Sequence, residues 1–453
     1  MGLCRRLSRL HGHPKVEMIF LTESRGNIRR SRADYRRNRI LSEIPTSLSR
    51  KRYFHFPDRL GGDRTIMTRE AYFDQIMPHR EQVAEFIRTS GPKNDRGWTF
   101  DAELGWVHVD GISRGDGVHG TDTFYYANAA DGRTLGAFTA PSRIHAYGDS
   151  FTYCDQVNNG ETWQDYLSAR LQEPVRNYGV GDYSVYQAYR RMRKVAAAGQ
   201  HDAEYIILNI FCDDHERNLV SWCDMRGGSR TPSGFTRPHL RVNVCDDKFE
   251  ECENLIQTPE GVYQLCDRQW VSEMFHDDPV LPLGITRRAP ECAANHLDSI
   301  AQGFGVAKDR IAATDPVAAI EEVFETAAFY STCRVIELVE QFIEASDKKL
   351  MIVLSYGQRL VIDLIAGKPR FDQLIVDFLA TRDYPVIDMR DAFAADFKHS
   401  TLAVENYLDK YFTSHHSPAG NFFTAEVLLK SILQWVDPKP APYLTPTAGI
   451  IQA

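Results

Sequence analysis

Between residues 143 and 211 three short apolar runs alternate with two helical patterns, and this alternation restricts the fold more than any other feature of the chain. Arg143 to Tyr147 is the first run, followed by helical spacing over Thr162 to Leu171. Val175 to Val180 is the second, followed by a helix over Val185 to Ala198. The third, Glu204-Tyr205-Ile206-Ile207-Leu208-Asn209-Ile210-Phe211, is apolar along nearly its whole length, as suits a central parallel strand covered on both faces. The pattern resumes late, with Lys349 to Tyr356 as a fourth strand, Phe371 to Ala380 as a helix and Tyr384 to Met389 as a fifth strand. Ser417 to Trp435 closes it as a helix. Strands separated by helices predict parallel pairing, here a doubly wound, flavodoxin-like α/β fold with a five-stranded parallel sheet. Ligands of such sheets bind beyond the carboxyl ends of the strands. Ser150, Gly181 and Asp213 all fall at those ends.

The rest of the chain divides by composition. Residues 1–66 hold 16 Lys/Arg against 6 Asp/Glu, a net +10, whereas the whole chain carries −8. They read as a basic, disordered leader that could meet a polyanion. The acidic remainder argues against a nucleic-acid-binding body. Residues 67–142 combine a helical pattern, broken at Pro78, with short strand patterns around Trp98, Trp106 and Phe124, and are expected to form a small β-rich appendage. Residues 143–437 form the α/β domain, interrupted by an insertion at 215–315, and 438–453 form a flexible tail. No apolar run approaches the ~18 residues of a membrane helix. Nine scattered cysteines and no secretory apolar core predict reduced thiols and a cytoplasmic setting.

Two segments carry chemistry. Tyr147-Gly148-Asp149-Ser150-Phe151-Thr152 puts a serine directly after the first strand. His415-His416-Ser417-Pro418-Ala419-Gly420-Asn421 puts a histidine before the closing helix, with Ser417 as its cap and Pro418 at its first position. A serine hydroxyl is a weak nucleophile until a base takes its proton. With Asn177-Tyr178-Gly179-Val180-Gly181 between them, these blocks resemble those of the SGNH/GDSL hydrolases, over roughly residues 143–214 and 349–435.

The resemblance implies an esterase acting on an acyl ester, such as an O-acetyl group on a small molecule or carbohydrate, without cofactor or metal. It assigns Ser150 as nucleophile and His415 as general base, with an oxyanion hole from Ser150, Gly181 and Asp213. The chain departs from the family twice. Where relatives carry the triad Asp, this chain has Phe412 and Thr413, which leaves Asp388 and Asp409 as candidate acids, or a Ser-His dyad. Asp213 stands where relatives carry a donor Asn, and an ionised carboxylate cannot donate. Asn218 is an alternative donor, and one register puts Asp182 rather than Gly181 on the family's glycine. Tyr183, Tyr186, Tyr189, Trp98 and Trp106 could stack on sugar rings. Transfer of the acyl group to a glycan hydroxyl, and a non-catalytic binding or assembly role, are the alternatives to hydrolysis.

Overall fold

The apolar runs become neighbouring strands of one sheet. The computed structural model describes residues 67–89, 96–133, 141–199, 202–227 and 236–444, all within one compact unit of the chain. The basic leader and the end of the tail lie outside the described residues. Two helices, Arg69–Ile76 and Arg80–Thr89, come first and are parted at Pro78, which has no N–H to continue a helix. β1 (Arg96–Asp101), β2 (Gly105–Ser113) and β3 (Thr123–Tyr125) form a separate antiparallel sheet. β4 (Ala127–Asn128) and β5 (Gly132–Arg133) make a hairpin that joins the main sheet.

β6 (Ile144–Tyr147), β7 (Val175–Asn177) and β8 (Tyr205–Phe211) follow, with the helices Trp163–Leu171 and Val185–Ala198 between them. β9 (His239–Asn243) and β10 (Lys248–Cys252) form a two-stranded antiparallel sheet. The region 215–315 otherwise holds short helices and leads into the 30-residue helix Pro316–Ala345. β11 (Lys349–Ser355), β12 (Val386–Asp388) and the helix Pro418–Trp435 complete the order.

The main sheet is mixed and seven-stranded, in the order β12-β11-β8-β6-β7-β5-β4. This corrects the expectation of a purely parallel, five-stranded sheet. β12, β11, β8, β6 and β7 pair in parallel, and β5 and β4 extend the edge in antiparallel fashion. Each added strand is two residues long, too short for an alternation of apolar side chains to register.

The core lies between this sheet and its helices. Trp163, Leu167 and Leu171 on one helix, and Leu428, Leu429 and Ile432 on the closing helix, pack with Ile144, Val175, Met351 and Val353 of the strands. From β6 the chain moves first to β7 on one side, then to β8 on the other. The loops leaving these strands therefore part at the carboxyl end of β6, the position where open α/β sheets form a crevice. Ser150 is there.

Candidate active site

Three strand ends are drawn together around Ser150. Asp149 caps the four-residue helix Ser150–Tyr153, accepting from the Phe151 N–H at 2.9 Å. A Cβ at Gly179 would lie 2.3 Å from the Tyr153 nitrogen, and one at Gly148 would lie 2.5 Å from the Asn209 carbonyl oxygen. Glycine at both places lets the turns after β6 and β7 approach as closely as they do. Asn209 Nδ2 donates to Thr152 Oγ1 at 3.0 Å, and Ser355 Oγ donates to Asn209 Oδ1 at 2.6 Å, which ties β8 and β11 to the turn. Ser150 itself is buried to 7% exposure.

His415 arrives from the other end of the chain. Its Nε2 lies 2.8 Å from Ser150 Oγ. The tight turn before it closes with the Thr413 N–H donating to the His415 carbonyl at 2.9 Å. Ser417 caps the closing helix and donates through its hydroxyl to the Lys410 carbonyl at 2.7 Å. His416, by contrast, is packed among Phe151, Phe393 and Phe412, and burial pushes its pKa down to about 3. It is an aromatic-like core residue. Burial also lowers the His415 pKa, helped by Arg217 and opposed by Asp149 and Asp116. Asp149 Oδ2 lies 3.3 Å from the Ser150 hydroxyl, and burial raises its pKa.

The two candidate triad acids are employed elsewhere. Asp388 caps the helix Met389–Phe397 through the Arg390 and Asp391 N–H groups, and its Oδ2 lies 2.6 Å from Arg370 Nη1. Asp409 is exposed and accepts from Gln358 Nε2 at 2.7 Å. The groups facing His415 Nδ1 are instead Gln156 Oε1, at 3.3 Å, and Ser414 Oγ, at 3.4 Å, whose own proton is given to Gln156 Oε1. No sequence signal marked Gln156, which follows the nucleophile helix and is remote in sequence from the histidine block.

The oxyanion donors differ from expectation as well. The Gly181 N–H donates to His108 Nε2 at 3.0 Å. His108 Nδ1 lies 2.8 Å from the Gly97 carbonyl and must carry the ring proton, so Nε2 is an acceptor and the Gly181 donor is committed. Asp182 has φ of +63°, the left-handed conformation that favours glycine, and is exposed. Its N–H and that of Ser150 donate to no group among the described residues. The Asp182 carboxylate is drawn aside by Arg217 Nε at 3.1 Å and Arg237 Nη2 at 2.8 Å.

Asp213 accepts from Arg226 at 2.7 and 2.9 Å and from Arg217 Nε at 3.0 Å. Burial opposes its ionisation, but these guanidinium groups outweigh burial and hold the carboxyl below its ordinary range. It is therefore an acceptor only, and its side chain is not an oxyanion donor. Asn218 is buried and spends its amide on Ser331 and Thr332. Arg217 is the centre that sequence reasoning missed. It reaches Asp149 at 3.6 Å, Asp182 at 3.1 Å, Asp213 at 2.9 Å, Asp214 at 2.8 Å and the Tyr183 carbonyl at 3.1 Å, so it joins the turns after β6, β7 and β8.

Tyr183, Tyr186, Tyr189 and Trp106 are buried, and Trp98 stacks on Phe86, so these rings are packing rather than a sugar platform. Among the described residues no group of His, Cys, Asp or Glu is arranged to hold a metal ion. No described helix is long and apolar enough to cross a membrane.

No protein-family model and no curated protein matches this chain. Among solved structures, it is similar to a chain from Desulfitobacterium hafniense DCB-2 assigned as a lipolytic protein of the G-D-S-L family. The two are 13% identical, with a TM-score of 0.29, over 63% of this chain and 97% of that one. A likeness of that size carries no argument about fold or chemistry, so the functional reading rests on the geometry of the site.

Proposed function

We propose that the protein is a serine esterase of SGNH type that hydrolyses an acyl ester of a small molecule or carbohydrate. The observation that supports this most directly is the 2.8 Å contact between Ser150 Oγ and His415 Nε2, made across 265 residues of sequence. Neutral His415 takes the hydroxyl proton as Ser150 Oγ bonds to the ester carbonyl carbon. The carbonyl oxygen becomes an oxyanion, held by the Ser150 and Asp182 N–H groups. Collapse breaks the bond to the alcohol oxygen, which leaves with the proton from His415. Water then attacks the acyl-enzyme, gives its proton to His415, and the acid is released as Ser150 regains the proton. A glycan hydroxyl in place of that water would make the reaction a transfer.

Ser150→Ala should abolish turnover of p-nitrophenyl acetate while the thermal unfolding midpoint stays near the wild-type value. Turnover retained in that variant would refute the mechanism. A non-catalytic binding role is the second reading, favoured by the neutral amide where a triad carboxylate would stand. Complete lack of turnover by the folded wild-type protein on every acyl ester supplied would make it the first.

A further inference from the structure

Gln156 sits at the junction between the N-terminal sheet and the catalytic histidine. Its backbone is left-handed, with φ of +71°, an uncommon conformation for a residue with a side chain. Its side-chain oxygen receives the whole turn before the closing helix. Ser414 N–H lies at 3.1 Å, His415 N–H at 2.9 Å, Thr413 Oγ1 and Ser414 Oγ each at 2.8 Å, and His415 Nδ1 at 3.3 Å. Backbone N–H groups can only donate, so the atom that meets two of them is the amide oxygen and not the nitrogen. A ring nitrogen facing that oxygen must then carry the proton. Nδ1 of His415 is protonated, and Nε2 presents a lone pair to Ser150 Oγ, the tautomer that a general base requires.

Gln156 is itself held by β3. Its backbone N–H donates to Tyr125 Oη at 2.9 Å, and that hydroxyl donates to Asp116 Oδ2 at 3.3 Å. Thr123 Oγ1 donates to the other oxygen of Asp116 at 2.7 Å. A single line of contacts thus runs from the N-terminal sheet to the imidazole.

Resting on the esterase reading, we propose that Gln156 is the positioning residue that replaces the triad carboxylate, and that Tyr125 of β3 sets its place. The amide fixes the tautomer and ring orientation but offers the imidazolium only a dipole. The charged groups that face His415 are then Asp149 before the nucleophile helix, Asp116 beside β3, and Arg217, the first two favouring the imidazolium and the third opposing it. The ring stays a weak base, poised to act at lower pH than one backed by a carboxylate.

The test uses the full chain with p-nitrophenyl acetate and with a fluorophosphonate, across pH, in Gln156→Ala, Gln156→Glu and Tyr125→Phe. Gln156→Ala should lower kcat/KM by about 10²-fold through kcat, with KM little changed, because the base loses its orientation. Gln156→Glu is isosteric and places a carboxylate beside Nδ1, so the acid limb of kcat/KM should move up by about one pH unit or more. Tyr125→Phe should lower kcat less than Gln156→Ala does. A purely structural role would lower the unfolding midpoint and leave the acid limb unmoved. Wild-type kcat/KM in Gln156→Ala with an unmoved limb in Gln156→Glu would overturn the assignment while Ser150 labelling stood. Failure of the wild type to label at Ser150 would remove the esterase reading and this assignment together.

Discussion

His415 is half-buried against the Phe151 ring at 5.0 Å, and burial of the imidazolium outweighs the pull of Asp149 and Asp116. Its pKa therefore lies below the ordinary histidine value of about 6.5. Only the neutral ring can take the Ser150 proton. Activity is then present above that pKa and lost as pH falls through it, so the acid limb of kcat/KM is expected to have its midpoint below about pH 6.5. A midpoint at 7 or above in the pH–rate profile would contradict this. Arg217 lies beside carboxyl groups from three turns, of which Asp149 and Asp214 are fully buried, and it opposes the burial that raises the pKa of both. Arg217→Met removes a guanidinium that holds Asp213 ionised and leaves the buried carboxyls with less compensation, and should cost about 3–5 kcal/mol, read as a loss of denaturant midpoint at unchanged slope. A change of less than about 1 kcal/mol would show that the cluster protonates instead.

At the scale of elements, the site depends on how closely the turn after β7 lies against the helix Ser150–Tyr153. A methyl group at Gly179 would meet backbone atoms of Thr152 and Tyr153 at 2.6 and 2.3 Å, which no rotamer change relieves. Gly179→Ala should destabilise by about 1–3 kcal/mol and reduce Ser150 labelling in the protein that remains folded. Normal labelling with normal stability would mean that the turn is slack. The same closeness explains what could be read beforehand. The long parallel strands and the helix Val185–Ala198 were legible because apolar period encodes them, and the Ser150–His415 pairing was expected because their two blocks resemble motifs of one family. β4 and β5 were not, since two residues show no period. Gln156, His108 and Arg217 were not either. Each acts on a partner brought near by folding, and their own local sequence carries no trace of it. The sequence offered Gly181 and, in another register, Asp182 for the same place; the Gly181 N–H is taken by His108 of β2 and the Asp182 N–H is not, a difference made by a hydrogen bond that only folding creates.

For the whole molecule, acid sensitivity follows from the buried histidines. Burial pushes His108 and His416 down to about 3, and His215 and His239 down to about 4. In the unfolded chain each would titrate near 6.5. Between those values the unfolded state binds more protons than the folded one, so stability rises with pH there and is lost as pH falls from about 6.5 towards 4. The four rings lower the unfolding midpoint over that window, against the buried carboxyls of Asp155, pushed up to about 7, and of Asp149, Asp214 and Asp278, also raised by burial, which gain protons on folding there. Replacing the four histidines by glutamine should therefore remove a loss of stability on the acid side, and an unchanged pH profile in that variant would show that the rings are protonated in the fold. In the proposed mechanism the mixed α/β sheet brings Ser150 and His415 together as an activated nucleophile and its base. The most direct measurement is labelling of the full chain with a fluorophosphonate, read by intact mass and peptide mapping. One adduct is expected, on Ser150, that disappears in His415→Ala. No adduct on the folded protein, or an adduct that survives loss of His415, would contradict it.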